Sequence, residues 1–453
     1  MRPSRTATRT LLGSTVLVSV LALVADPAAA GVAASGARYP AAGTVHYVAP
    51  AGDDTAAGTR DAPWASIAHA EAVARPGDTV YFRGGTYTYT HANSTCAGET
   101  ARVDAVTLDK SGTSGSPIRY WAYPGEKPVF DFSGMTDDCR IKGFDVTGSW
   151  IHLKGLEITG VPQNNTLNHE SWGVWNSGSD NTFEQLDVHD IMGPGVFLNT
   201  GGGNLVVDSD SHDNYDANSS SGPGTNADGF GAHIPAGNDG DVFRGDRSWN
   251  NSDDGFDLIN ALSPVTIESS WAWSNGYVPG TTTGAGDGNG FKAGGYGGKY
   301  VTGGVTHTVR QSVAFDNKAA GFYANHHTVA DDFFNDTGYG NHPDFNMLGV
   351  APDGTATGLG TLRNDVAYTG TLTSNMTGTD AAFNSWDLGV PLSDAQFRSV
   401  STTGWDAPRR PDGSLPDLPY LRPAAHSDLI DRGTDVGLPY GGKAPDLGAF
   451  EAH

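Results

Sequence analysis

Three short stretches decide the fold of this chain: Ala227-Asp228-Gly229-Phe230-Gly231, Asp253-Asp254-Gly255-Phe256-Asp257 and Gly288-Asn289-Gly290-Phe291-Lys292. Aligned on the phenylalanine, they put Asp228, Asp254 and Asn289 in one column and Gly231, Asp257 and Lys292 in another. If each copy is one strand of a parallel stack, neighbouring columns lie about 4.8 Å apart. Asp228, Asp253, Asp254, Asp257 and Lys292 then converge on a patch the size of a sugar ring. Clustered carboxylate oxygens suit a hard cation, and the lysine stands beside them as a candidate base.

The same register runs outward from the three copies. Val174, Val196, Phe230, Phe256, Phe291, Phe322 and Phe345 form one column, and Trp175, Phe197, Gly231, Asp257, Lys292, Tyr323 and Asn346 the next. The period of two along a strand sends the first column inward and the second outward. Val174 to Val196 is 22 residues and Phe322 to Phe345 is 23. Repeats of this length, rich in Gly, Asn and short β runs, predict an all-β fold, a parallel β-helix. A β-propeller needs a period of about 40–45 residues, and none appears. A second family of strands is expected at 182–188, 205–211, 243–249, 266–273, 308–315 and 328–334. Asn214, Asn251, Asn275 and Asn317, near the ends of these runs, can form an interior ladder that satisfies turn backbone groups.

Loop lengths single out one corner of the coil. Five residues separate Asn251 from Phe256 and Asn317 from Phe322, but 16 separate Asn214 from Phe230 and Asn275 from Phe291. The coils on either side of Asp253–Asp257 therefore carry extra loops, which would wall a groove over the carboxylates.

The ends and the composition frame the rest. Residues 1–30 read as a secretory signal: Arg2, Arg5 and Arg9, then an apolar run over 11–25, then Ala28-Ala29-Ala30. No later segment reaches the 18–20 apolar residues of a membrane span, so a secreted, extracellular protein without a membrane anchor is expected. Residues 31–43 read as a flexible leader and 44–453 as one domain, the coils running from about 117 to 390 without a linker. Within it a short helix at 64–74 caps the N-terminal end, and the Pro- and Asp-rich segment 391–453 packs irregularly on the coils. Strands are expected at 44–49, 79–82 and 86–89. A monomer is expected. Cys96 and Cys139 predict one disulfide. The formal charge of −24 argues against nucleic acid, whose binders need basic patches. It also implies that an acidic polymer would need bridging cations. Glycine, at 62 of 453 residues, is about twice its usual share, as a turn-dense solenoid requires.

Asp-Gly and Asn-Gly pairs are turn signals first. Asp253, Asp254 and Asp257, however, are three carboxylates within five residues, and they repel one another without a cation. An all-oxygen set with Asp228 suits Ca²⁺, with Asn289 able to add a neutral oxygen. HExxH spacing is absent, which disfavours zinc. A lysine beside a divalent cation has its pKa lowered and becomes usable as a base. Such a base could take the C5 proton of a uronate whose carboxylate is bound to calcium, leading to β-elimination. A glycoside hydrolase with paired Asp residues and a non-catalytic, calcium-stabilised carbohydrate-binding β-helix are the alternatives. His233, Arg244, Arg247, Arg310, Asn325 and His326 are candidate groove residues, and Trp172, Trp175 and Tyr323 candidate sugar platforms.

The stretch from about 225 to 295 resembles polysaccharide lyase family 9, the calcium-dependent pectate lyases. The words that carry the resemblance are Asn226-Ala-Asp-Gly-Phe230, Phe243-Arg-Gly, Trp249-Asn-Asn-Ser-Asp-Asp-Gly-Phe-Asp-Leu258 and Gly286-Asp-Gly-Asn-Gly-Phe-Lys292. Weaker matches run from Tyr47 through 117–131 to Ala444-Pro-Asp-Leu-Gly-Ala-Phe-Glu451, so most of the chain is covered. The resemblance implies a right-handed parallel β-helix, polygalacturonate or pectin as substrate, Asp228, Asp253, Asp254 and Asp257 as calcium ligands and Lys292 as base. Phe256 stands where that family usually has Trp, and no lysine stands near His233.

Overall fold

Strands of three or four residues, each followed by a tight bend, wind the chain into three parallel sheets. The computed structural model describes residues 43–91, 97–164, 170–296 and 304–452, all within one compact unit, Tyr39–His453. The first, second and third sheets have ten, twelve and ten strands among the described residues, and successive coils are neighbours in each. One coil, for example, gives Val196–Leu198 to the first sheet, Leu205–Val207 to the second and Asp210–His212 to the third. This is a parallel β-helix, as the repeat predicts.

The inward column is the one expected. Val174, Val196, Phe230, Phe256, Phe291, Phe322 and Phe345 pair in unbroken register through the first sheet. All are fully buried. The five phenylalanines stack with ring centroids 4.7–5.1 Å apart. Parallel strands in register put like on like, so each coil adds one ring to the pile and removes its faces from water. The asparagine ladder also forms: Oδ1 of Asn251, Asn275, Asn317 and Asn341 each accepts the backbone N–H of the ladder residue one coil earlier.

The second strand family needs correction. The runs at 182–188, 205–211, 243–249, 266–273 and 308–315 are each two strands in two different sheets, not one. Gln185, Asp208, Gly245, Ser269 and Gln311 stand at the breaks with φ of 54°, 52°, 68°, 52° and 51°. A single residue in the left-handed region turns the chain from one sheet to the next. Only one of the five is glycine, so the corner leaves almost no glycine signal. The run at 328–334 shrinks to Asp332–Phe334. At the N-terminal end the strands are Val45–Val48, Thr79–Phe82 and Gly85–Thr88.

The helix is shorter than expected, Ile67–Val73, because Ser66 caps it: its hydroxyl accepts from His69 N–H at 3.1 Å. It buries Ile67 and Ala70 and packs on Val45–Val48, the edge strand of the twelve-stranded sheet, so that edge is covered. The segment from 391 has no long strand. It lays Phe397, Trp405, Tyr420 and Leu447 against Trp271, Trp273 and Phe315 on the outer face of the third sheet. Cys139 is buried, but the expected bond to it involves Cys96, which lies outside the described residues. Residues 1–42, the expected signal and all but the last residue of the expected leader, also lie outside them. No described helix is long and apolar enough to cross a membrane.

Aspartate stands in for asparagine at several interior positions. Asp241 Oδ1 accepts from Asn204 N–H and Nδ2, while its Oδ2 is buried without a hydrogen-bond partner. Burial pushes this carboxyl up to about 7. The native state therefore binds the proton more tightly than the unfolded chain, so stability is full below the ordinary carboxylate range and falls as pH rises through about 7. Asp241→Asn keeps the acceptor and removes the ionisation. It is expected to raise stability at pH 8 by on the order of 3 kcal/mol and to flatten the loss between pH 4 and 8. Urea denaturation at the two pH values measures this; an unchanged pH slope would refute it.

Candidate active site

The outward column of the first sheet floors a cavity of about 380 Å³. Asp257 and Lys292 are direct register partners on adjacent strands, Phe256–Asp257 and Phe291–Lys292, and Gly231 pairs with Asp257 on the other side. Asp228, Asp253 and Asp254 come from the bends just before the strands. The two long corner loops wall the cavity, Thr225 and Asn226 from one and Asp287 from the other.

The turn reading of Asp228, Asp254 and Asn289 is correct as far as one oxygen of each. Asp228 Oδ1 accepts Asp254 N–H at 3.0 Å, and Asp254 Oδ1 accepts Asn289 N–H at 2.7 Å and Nδ2 at 2.8 Å. Asn289 Oδ1 accepts Ala320 N–H at 3.1 Å. The ladder thus pins these side chains in line. It also leaves the second carboxylate oxygens for other work. One carboxylate oxygen from each of Asp228, Asp253 and Asp254 lies within 4.8 Å of the others, and all three residues are buried. Asp257 stands slightly apart, with Oδ1 accepting from Ile259 N–H at 2.7 Å.

Lys292 Nζ is 2.9 Å from Asp254 Oδ2, 3.2 Å from Asp257 Oδ2 and 3.5 Å from Asp287 Oδ2. The bond to Asp257 is a hydrogen bond. The approach to Asp254 Oδ2 is ionic only, and that oxygen remains without a hydrogen-bond partner, fully buried. Burial opposes the lysine's charge, but Asp254, Asp257, Asp253 and Asp228 outweigh it and raise its pKa well above the ordinary value. Burial first, and then the neighbouring carboxylates, push Asp228 and Asp253 far up; burial also raises Asp254. One lysine does not balance four carboxylates in a buried patch. A buried, all-oxygen donor set of four carboxylates set against a single lysine is what a hard divalent cation fits.

The other expected site residues divide. His233 lines the cavity, its ring edge-on to Phe197 at 4.7 Å, and burial, then Lys292, push it down to about 4. Asn289 is buried in the ladder and does not reach the cavity wall. Tyr323 is the register partner of Lys292 on the next strand, half-buried, with its hydroxyl 3.1 Å from His326 Nδ1. Asn325 Nδ2 donates to Gly294 O, which makes it a loop fastener. Arg244 and Arg310 are corrected outright. They sit on the outer face of the twelve-stranded sheet, both bound to Glu268, because residues 241–244 and 308–310 belong to a different sheet from the carboxylates. Arg247 likewise binds Asp210 and the C-terminal segment. Trp172 and Trp175 do line the cavity.

Arg102, Arg140 and Asp287 are among the lining residues that the sequence did not single out. Asp287 was visible inside the Gly286–Lys292 word. The two arginines come from strands 97–108 and 138–146, far away in sequence, with no repeat marking them.

Comparison with known proteins gives this parallel β-helix, with its buried lysine–carboxylate cluster, a specific family. Residues 46–365 match the family model described as "Pel9A-like, right handed beta helix region", and the chain belongs to that family. The hand of the coil is therefore right. A "Pectate lyase L" of Dickeya chrysanthemi is 36% identical over 413 residues, 90% of each chain. A "Pectate lyase PEL9" of Emericella nidulans is 31% identical over 84% of this chain and 93% of its own. Among solved structures, "Crystal structure of pectate lyase Pel9A" matches with TM-score 0.76 and 34% identity, covering 91% of this chain and 97% of that one. One titled "Rhamnogalacturonan lyase" matches with TM-score 0.78 and 34% identity, covering 84% and 97%.

Proposed function

We propose that the protein is a secreted pectate lyase that cleaves polygalacturonate by β-elimination, with Lys292 as base and calcium held by Asp228, Asp253, Asp254 and Asp257. The observation that carries this reading is the register pairing of Lys292 with Asp257, which sets one lysine against four buried carboxylates on a groove floor. The family membership and the names of the relatives support the lyase class, and the leader pattern of residues 1–30 supports export.

The chain's own groups divide the work. Neutral Lys292 Nζ removes the proton from C5 of the uronate. The C5–H electron pair becomes the C4–C5 double bond, and the C4–O4 pair leaves with O4, which takes up a proton. Asp257 and Asp254 fix Nζ in place through the contacts described. Bound calcium would neutralise the uronate carboxylate, acidify its C5 proton and draw off the Asp charge that otherwise holds Lys292 as a cation. Trp175 and Phe197, stacked with centroids 5.1 Å apart, give the groove an apolar floor beyond the charged end.

An assay on polygalacturonate with and without a chelator tests the reading. Ultraviolet absorbance of an unsaturated uronide that vanishes on chelation and returns with added calcium is the expected result. Reducing ends formed without that absorbance would indicate a hydrolase. A second reading, a lyase of a backbone that alternates uronate with a neutral sugar, is favoured by the structural match to the rhamnogalacturonan lyase. Parallel assays on rhamnogalacturonan separate the two.

A further inference from the structure

The cavity does not end at the carboxylates. Its far end is built by Arg102, Arg140, Trp172 and Trp175. Trp175 lies four strands along the sheet from Lys292, which at about 4.8 Å per strand is about 19 Å, room for several sugar units. Arg102 is exposed, and its guanidinium carbon is 5.0 Å from the Trp175 ring centroid and 5.4 Å from that of Trp172. Arg140 is its direct register partner on the neighbouring strand and lies 5.4 Å from Trp172.

Two guanidinium groups side by side repel each other. Arg140 has Glu170 as a partner, at 3.5 Å, and Lys142 beside it is paired with Asp145 and Asp104. Among the described residues no carboxylate lies within ion-pair distance of Arg102. In a chain of net charge −24, the substrate cavity thus holds an exposed cation, Arg102, with no described carboxylate in ion-pair contact, braced by two tryptophan rings at the end away from the metal-type cluster. Cation–π contact fixes the head while leaving its N–H donors outward. Arg102 also lines an adjoining cavity of about 600 Å³ that continues past Ala105 and Lys110, so it stands at a junction on the path of a long polymer.

We propose that Arg102, braced by Trp172 and Trp175 and reinforced by Arg140, is a remote subsite that binds the free carboxylate of a uronate several units from the scissile bond. The enzyme therefore selects polymers that are de-esterified there as well as at the point of cleavage. This rests on the lyase reading of the same groove. The planar fork matches a carboxylate in two hydrogen bonds, and a methyl ester offers neither the charge nor the second oxygen.

The test compares Arg102→Ala and Arg102→Lys with the parent on polygalacturonate and on highly methyl-esterified pectin. On polygalacturonate, Arg102→Ala is expected to raise KM about tenfold, and Arg102→Lys to recover part of that loss; on esterified pectin neither should matter by more than about twofold. Equal losses on both polymers would show Arg102 to be packing only, and no loss on polygalacturonate would remove the subsite; either overturns the proposal. Calorimetric binding of the same two polymers to Lys292→Ala and to Lys292→Ala/Arg102→Ala repeats the comparison without turnover. If the parent forms no unsaturated product, the lyase reading fails, while the binding arm still decides whether Arg102 recognises a uronate.

Discussion

Lys292→Ala is expected to reduce turnover of polygalacturonate by about 10³-fold, the middle of the range for a positioned general base. The reason is geometric. Lys292 supplies the cation in contact with Asp254 and Asp257, and His233, the other titratable nitrogen lining that part of the cavity, is paired edge-on with Phe197. No neighbouring lysine stands ready to replace it on the adjacent strands, where its register partners are Asp257 and Tyr323. Lys292→Arg is expected to fail too, since a guanidinium stays protonated at any workable pH. The fold should survive both changes, because Phe291 and not Lys292 carries the core contact of that coil. Steady-state rates with circular dichroism on each variant measure the effect. Activity within threefold of the parent would remove Lys292 from the role of base.

Asp254→Asn carries the second large effect, a loss of calcium affinity of at least about 100-fold, above what removal of an outer partner of a metal ligand costs. Asparagine keeps Oδ1 for Asn289 N–H and Nδ2, so the ladder holds, but it loses the negative charge on Oδ2 that faces the cluster. Stability without metal should change by less than about 1 kcal/mol, since relief of carboxylate repulsion offsets the lost attraction to Lys292. Asp254→Ala is the informative contrast. It leaves Asn289 N–H without its acceptor in a buried bend and is expected to cost about 1–3 kcal/mol as well as the metal. Calcium titration by calorimetry, set beside melting curves, separates the roles. Unchanged affinity in Asp254→Asn would make this residue a turn fastener only.

The site cluster was legible because a parallel β-helix converts sequence alignment directly into spatial adjacency. Once the Asp/Asn-Gly-Phe copies are aligned, the pairings Gly231–Asp257 and Asp257–Lys292 follow, and the structure has both. The loop lengths likewise placed two extra loops beside the carboxylates, and the structure has Thr225, Asn226 and Asp287 of those loops at the cavity. Arg244 and Arg310 misled because a pattern of alternating residues says that a side chain points outward, not from which of three faces. The corner residues that decide the face, Gln185, Asp208, Ser269 and Gln311, are ordinary polar residues with positive φ.

Sequence alone therefore determined the coil, the inward phenylalanine and asparagine columns, and the order of the carboxylates and Lys292, since each depends only on a repeat read at fixed register. Tertiary structure decided what repeats cannot encode. It split each long β run between two sheets, sent Arg244 and Arg310 to Glu268 on another face, and set Arg102 and Arg140, on the two strands preceding Trp172–Asn176 in the same sheet, against the tryptophans at the end of the groove. The physical reason is that register is set by hydrogen bonds between neighbouring coils, whereas the face a strand occupies is set by single-residue bends and by packing across the solenoid.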